Sequence, residues 1–467
     1  MNRILHLGLG SFHRAHQAVY LHHLRELGDR SWAIVGGNIR ADLAETMTAL
    51  AAQNGEYTME TVSPAGERVY ERIRSIERVI PFDPNLTGLI EAGVDPETRI
   101  ISFTVTEAGY YLDPKNRLDL TFPDLRADLE QGKRTTIYGA ITAILRERIK
   151  RNGGAVTLQN CDNLRSNGER FQLGLLDFCE RQGDRALRAW IEANTTWPNA
   201  MVDRITPRPL PEVAERVRAA TGWDDHAPVM GERFMQWVIE DHFCNGRPAW
   251  EKVGAEMVAS VLPYEEAKIR ILNASHSCIA WAGTLIGLGF IHEGVAIDAI
   301  RRMVYEYVTD DVIPCLDTPA HPSPVNLASY RDVVLDRFTN PYLRDTNQRV
   351  AMDGFAKIPG FIAPTLRERL ARGESIRKTA VLPALFFAFL DRWQRGALSY
   401  TYQDQGMDEA AARAFFRAPE PIAAYCRDPI LWGPLAGNDQ LRSAIAAAYE
   451  QVLAFVREHR SGGSATH

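Results

Sequence analysis

Residues 4–16 read Ile4-Leu5-His6-Leu7-Gly8-Leu9-Gly10-Ser11-Phe12-His13-Arg14-Ala15-His16. A short apolar run stops at a glycine, and from Ser11 to Leu27 apolar residues recur at helical spacing, at Ala15, Val19, Leu21 and Leu24. A strand, a tight turn and a helix in this order are the context in which Gly-x-Gly cradles the pyrophosphate of a dinucleotide. Gly8 permits the turn, Gly10 lets a phosphate approach the backbone, and the helix start at Ser11 and Phe12 offers unpaired N–H groups. His13 stands where the G-x-G-x-x-G pattern has its third glycine, so close packing of helix on strand is expected to suffer. The residue that meets the adenosine ribose belongs at the end of a second strand. There the chain reads Gly36-Gly37-Asn38-Ile39-Arg40, with Asp42 following. Asn38 suits a ribose hydroxyl, and Arg40 suits a 2′-phosphate or the adenine face, so the residues leave NAD and NADP both open.

Outward from this turn, Trp32 to Val35, Arg99 to Val105 and Ala155 to Leu158 read as buried strands, with a helix over Thr135 to Lys150. Strand–helix alternation predicts an α/β fold with a parallel sheet, a Rossmann-type N-terminal domain. After about Trp250 the alternation fades. Helical patterns follow at Ile271 to Phe290, Gly294 to Tyr307, Ala380 to Leu390 and Leu441 to Arg457. The expected division is a dinucleotide-binding domain over 1–258 and a mainly α-helical, substrate-binding domain over 259–467, with a disordered tail SGGSATH. A chain of 467 residues has room for two or three domains.

With 53 basic and 59 acidic residues the net charge is −6, which argues against a nucleic-acid partner. The six cysteines are scattered, with no Cys-x-x-Cys pair, and this suits a reducing compartment and offers no metal site. The start lacks the uninterrupted apolar core of a secretory signal, and the longest charge-free stretch, Ile271 to His292, carries six polar residues and three glycines. A cytoplasmic protein outside the membrane is expected.

Two further clusters carry chemistry. Tyr111 and Lys115 match a Tyr-x-x-x-Lys pattern, but Pro114 breaks any helix between them. Tyr264 and Lys268 match it too, far later in the chain than a short-chain dehydrogenase places that pair, so the tyrosine reads as incidental. Lys268 opens an almost charge-free helix. At about 100° per residue, Glu265, His276 and Asn273 lie roughly 60°, 80° and 140° from it, in one sector of an otherwise apolar helix. Buried polar groups must be satisfied. Glu266 and Arg270 read as ordinary charges at a helix entrance, whereas Lys268, Asn273 and His276 together favour a site over a core histidine and an entrance lysine. The other cluster, Gln159-Asn160-Cys161-Asp162-Asn163-Leu164, follows a predicted strand. Ligands bind beyond such strand ends, so an asparagine there either donates to a substrate oxygen or closes an Asx turn.

Together with Thr104-Val105-Thr106-Glu107-Ala108-Gly109-Tyr110, Val202-Asp203-Arg204-Ile205-Thr206-Pro207 and Lys268-x4-Asn273-x2-His276, these blocks resemble the mannitol dehydrogenase family of polyol-specific long-chain dehydrogenases. The Gly36–Arg40 stretch is most similar to its D-arabinitol-oxidising branch. The resemblance implies a Rossmann-type domain and a helical domain with the site between them and no metal. It implies metal-independent, NAD-dependent oxidation of a secondary alcohol of a polyol: D-arabinitol to D-xylulose, or D-mannitol to D-fructose. By the same resemblance Lys268 is the general base, Asn163 and Asn273 polarise the reacting oxygen, and Glu265 relays the proton. His276, Arg349 and Lys357 meet the substrate, and Asp203 supports the site. Gly8, Gly10, Ser11, Phe12, Asn38, Arg40, Thr106 and Glu107 face the cofactor. The family's turn also lacks the third glycine. A polyol or ketose is the expected small-molecule partner, and a monomer or small homo-oligomer the expected assembly. A hexuronate reductase of the same family, a mannitol-1-phosphate dehydrogenase and a non-catalytic NAD-binding sensor are the alternatives.

Overall fold

The first strand, β1 (Asn2–Leu7), alternates its side chains between two apolar layers, Leu5 and Leu7 into one and Ile4 into the other. In the computed structural model, which describes residues 1–113, 116–208 and 210–461, it is the centre of a six-stranded sheet. In chain order follow β2 (Trp32–Gly37), the hairpin of β3 (Tyr57–Val62) and β4 (Arg68–Ile73), β5 (Ile76–Ile80), β6 (Thr98–Phe103), β7 (Val156–Asn160) and β8 (Thr195–Thr196). The sheet runs β5-β2-β1-β6-β7-β8, every pair parallel. Counting only its own strands, this is the order 3-2-1-4-5-6 of a dinucleotide-binding fold, and the order reverses between β1 and β6. Apolar layers cover both faces, as a parallel sheet requires.

The hairpin was not legible as strands, because Arg68-Val69-Tyr70-Glu71-Arg72-Ile73 mixes charge with apolar residues. It pairs β3 in parallel with β10 (Val229–Glu232) to form a small second sheet. A third joins β9 (Ala200–Asp203), β11 (Gln236–Glu240) and β12 (Glu256–Val258). The helix expected from Ser11 to Leu27 is two helices, α1 (Ser11–Ala15) and α2 (Gln17–Glu26). The break is at His16, whose backbone leaves the helical region and whose Nε2 lies 2.8 Å from the Gln236 carbonyl.

Residues Met1–Leu262 make one compact unit and the chain from Pro263 a second. The second is helical around one apolar core. The helix expected over Ile271 to Phe290 stops at Ile286, because Gly287 takes a positive φ of 90° and caps it. The pattern over Gly294 to Tyr307 is carried by Ile291–Val295 and Asp298–Glu306. The last two patterns are the helices Val381–Gln394 and Asp439–Ser461. Among the described residues, three segments wind as π-helix: Lys268–Asn273, Tyr307–Val312 and Ile358–Ile362. Among the described residues, no helix is long and apolar enough to cross a membrane. Pro114, Lys115 and the tail beyond Ser461 lie outside the described residues.

Candidate active site

The turn after β1 shows why its glycines are needed. Gly8 has φ +108°, and a Cβ there would stand 2.7 Å from the Thr104 carbonyl oxygen. Gly10 meets nothing nearer than 4.0 Å, so its exposed side is open to a ligand. The Gly10 amide donates to the Gly8 carbonyl at 2.7 Å, and the Leu9 amide donates to Asn38 Oδ1 at 2.9 Å. Asn38 is buried, and its carbonyl is already engaged in tying the turn to the end of β2.

The missing third glycine has a structural replacement. The His13 ring lies on that of His6, with centroids 3.4 Å apart and planes 16° from parallel. Burial pushes the His6 imidazole down to about 3 and His13 well below its ordinary value, so both rings are neutral at pH 7 and stack without repulsion. His6 Nδ1 lies 2.8 Å from Ser102 Oγ on the neighbouring strand. Helix and strand therefore meet through two flat rings rather than through a glycine.

Beyond the carboxyl ends of β1, β2 and β6 opens a cavity of about 630 Å³, at the point where the strand order reverses. Gly8, Gly10, Ser11, Phe12, Asn38, Arg40 and Thr106 all line it. Glu107 does not; it sits exposed on the 3₁₀ turn Glu107–Tyr110. Tyr111 and Phe122 form an edge-to-face aromatic wall, with centroids 5.2 Å apart. The open side of Gly10, the unpaired amides that begin a helix and a mostly apolar wall together fit a dinucleotide.

Asp162, in the cluster after β7, ties the far wall of the cavity together. Its Oδ1 accepts the Val105 and Thr106 amides, each at 2.8 Å, and its Oδ2 accepts the Tyr110 hydroxyl at 3.1 Å. Burial pushes this carboxyl up to about 6 against the pull of those bonds. The bonds hold Thr106 at φ +66°, an uncommon backbone for threonine on the lip of the cavity. Asn163 follows immediately, exposed beyond β7, and Asp203 is buried at the end of β9.

In the helical unit Glu265 and Lys268 are both buried, 4% and 6% exposed. The helical wheel drawn for the sequence needs correction here. A π-helix closes i→i+5 bonds and so turns less per residue than an α-helix. The Lys268–Asn273 turn brings Asn273 back toward the azimuth of Lys268, and His276, one α-helical turn further on, onto the same strip. Glu266 and Arg270 are structural, as expected. The Arg270 guanidinium donates to Glu266 at 2.7 Å and to both oxygens of Glu368 at 2.6 and 2.9 Å.

His276 Nε2 lies 2.9 Å from Asp345 Oδ2, and its ring stacks on Phe338 at 4.7 Å. Burial lowers the His276 imidazole, Asp345 opposes this, and the net direction is down, so the ring is neutral at pH 7. Burial would raise the Asp345 carboxyl, but His276 and Arg349 outweigh it and hold the group at about 2. An ionised Asp345 favours the proton on Nε2 and leaves Nδ1 as an acceptor. The Arg349 guanidinium donates to Asp345 Oδ1 at 2.6 and 2.9 Å. Lys357 donates to the Val350 carbonyl at 2.5 Å, and burial lowers its ammonium to about 8. Asp345 was missed by sequence reasoning; its only local signal is Arg349 four residues on. Among the described residues, no three His, Cys, Asp or Glu side chains gather as a metal ion would require.

Residues 2–252 match the model of the mannitol dehydrogenase Rossmann domain, and residues 260–453 that of the mannitol dehydrogenase C-terminal domain. The chain belongs to the mannitol dehydrogenase family. It is an oxidoreductase. Over 97% of both chains it is 62% identical to a D-arabinitol 4-dehydrogenase of Ralstonia nicotianae. A D-arabinitol 4-dehydrogenase of Klebsiella pneumoniae is 55% identical over 95% of this chain and 98% of that one. Among solved structures, the ternary complex of Pseudomonas fluorescens mannitol 2-dehydrogenase with NAD and D-mannitol superposes with a TM-score of 0.82. It is 32% identical, covering 98% of this chain and 94% of that one.

Proposed function

We propose that this protein oxidises a secondary hydroxyl of an open-chain polyol with NAD, D-arabinitol to D-xylulose in preference to D-mannitol to D-fructose, with Lys268 as general base. The observation that carries the substrate is the similarity over nearly the whole chain to two D-arabinitol 4-dehydrogenases. The charge around His276 supports a neutral substrate over a hexuronate, because Arg349 is already matched by Asp345.

NAD, held by the turn at Gly8 and Gly10 and by the cavity wall, supplies a hydride acceptor when bound. The remaining work falls to side chains. Lys268 Nζ takes the hydroxyl proton as the carbon gives up hydride. Asn163 and Asn273 donate hydrogen bonds to the oxygen as negative charge grows on it, without a metal. Glu265 passes the proton outward, and Asp203 supports the site. His276, its proton fixed on Nε2 by Asp345, offers Nδ1 to another substrate hydroxyl; Arg349 holds Asp345 in place, and Lys357 completes that corner. A base that must be neutral to act makes oxidation rise with pH as Lys268 loses its proton.

Purified protein given D-arabinitol, D-mannitol, D-sorbitol, xylitol and fructuronate, each with NAD or NADH as the direction requires, is followed by absorbance of the reduced cofactor. D-arabinitol is expected to have the highest kcat/KM, and turnover of the uronate alone would overturn the reading. Lys268→Ala is expected to lower kcat by about 10²- to 10⁴-fold and to remove the pH dependence. Unchanged turnover and pH profile in that variant would exclude Lys268 as the base.

A further inference from the structure

We propose that Asp124 sets the cofactor preference of this enzyme, by holding Arg40 away from the position that a 2′-phosphate would occupy. The proposal rests on the reading that the cavity beyond β1, β2 and β6 takes a dinucleotide.

Arg40 lies just past the end of β2, where the adenosine ribose is bound in folds of this order and where an arginine accommodates the 2′-phosphate of NADP. On sequence alone it leaves NAD and NADP both open. The structure gives its guanidinium other partners. Nε donates to the Thr135 carbonyl at 3.0 Å, and Nη2 donates to the Tyr111 hydroxyl at 2.5 Å and to Asp124 Oδ2 at 2.8 Å. The three acceptors come from separate segments of the chain, and all three residues line the cavity. Swinging onto a phosphate would break all three bonds.

Asp124 is not an incidental partner. It lies in the first turn of the helix Pro123–Gln131, where the backbone dipoles favour a carboxylate. Among the described residues, three charged side chains line the cavity, Arg40, Asp42 and Asp124, one positive and two negative. With Arg40 neutralised by Asp124, the ribose end presents an excess negative charge. A dianionic 2′-phosphate is repelled there, whereas a ribose diol can donate to a carboxylate. The side chains of Arg40 and Asp124 are 44% and 50% exposed, so the repulsion weakens as salt is added.

The test is fluorescence titration of the full-length protein with NADH and NADPH, which needs no assumption about the alcohol. Wild type is expected to bind NADH at least tenfold more tightly than NADPH. Asp124→Asn keeps the side chain's shape but removes the charge that neutralises and anchors Arg40, and should lower the ratio Kd(NADPH)/Kd(NADH) at least fivefold. Asp42→Asn removes the same charge without loosening Arg40 and should lower it less. In the double variant Arg40→Gln/Asp124→Asn the gain should vanish, which assigns it to the released guanidinium. The proposal is overturned if wild type prefers NADPH, if Asp124→Asn leaves the ratio within twofold, if Asp42→Asn matches it, or if the gain survives without Arg40. Tight binding of both cofactors with a silent Asp124→Asn removes this proposal alone. Binding of neither cofactor by wild type removes the dinucleotide reading and the proposal with it. Asp124→Ser serves in place of Asp124→Asn should the latter not fold, as judged by its circular dichroism.

Discussion

Asp345 and Lys357 carry pKa shifts that make separate predictions for stability. The Asp345 carboxyl has an ordinary value of 3.8 and is held at about 2 in the folded chain. A depressed acid stabilises the fold above its unfolded value and loses that contribution as pH falls through the folded one. The gap in unfolding free energy between wild type and Asp345→Asn is therefore expected to shrink by about 2 kcal/mol from pH 5 to pH 2, measured by urea unfolding. A gap independent of pH would show that Asp345 does not titrate with folding. Lys357 has the opposite dependence. Its ammonium falls from 10.5 to about 8, so between these values the unfolded chain binds more protons and stability rises with pH. Relative to Lys357→Met, wild type should gain roughly 2–3 kcal/mol between pH 8 and pH 10.5. An unchanging difference would contradict the burial of the ammonium. At this scale the sequence told which residue types matter. It did not reveal Asp345, because the histidine and its carboxylate are 69 positions apart and only the fold brings them to 2.9 Å.

Among the elements, the β1–α1 turn and the π-turn at Lys268 hold many of the residues proposed for cofactor and substrate. The two glycines of the turn have different jobs and should fail differently. Gly8→Ala forces a Cβ to 2.7 Å from the Thr104 carbonyl at a φ of +108°, and should cost about 1–3 kcal/mol of stability. Gly10→Ala meets no protein atom closer than 4.0 Å, so it should leave the unfolding midpoint nearly unchanged while weakening NADH binding by an order of magnitude or more. Equal loss of stability in both variants would contradict this division. Strand, turn and helix were legible here because each obeys a local rule. The ring stack of His13 on His6 was not, since a histidine in place of glycine reads as a defect until both rings are seen to be buried and parallel. The π-turn was equally hidden. Apolar periodicity marks a helix over Lys268 to His276, but no local pattern marks its wider turn, and azimuths drawn for an α-helix are displaced by it.

For the whole molecule, binding at the N-terminal cavity is linked to unfolding. NADH at about a hundred times its Kd should stabilise the folded chain by about 2.7 kcal/mol, read as a rise in thermal midpoint that grows with ligand concentration. A midpoint indifferent to NADH at every concentration would speak against a dinucleotide in that cavity. The parallel sheet, the helical second half and the residue types of the candidate site could be read from the chain, because each is written in short-range periodicity or in adjacent residues. That Asn38 ties down the turn, that Asp345 lies against His276 and that Asp124 and Tyr111 take up Arg40 follows from the folded chain alone. Those assignments depend on polar contacts between segments distant in the chain. Such contacts are set by how strands and helices pack, and no local pattern of residues encodes them.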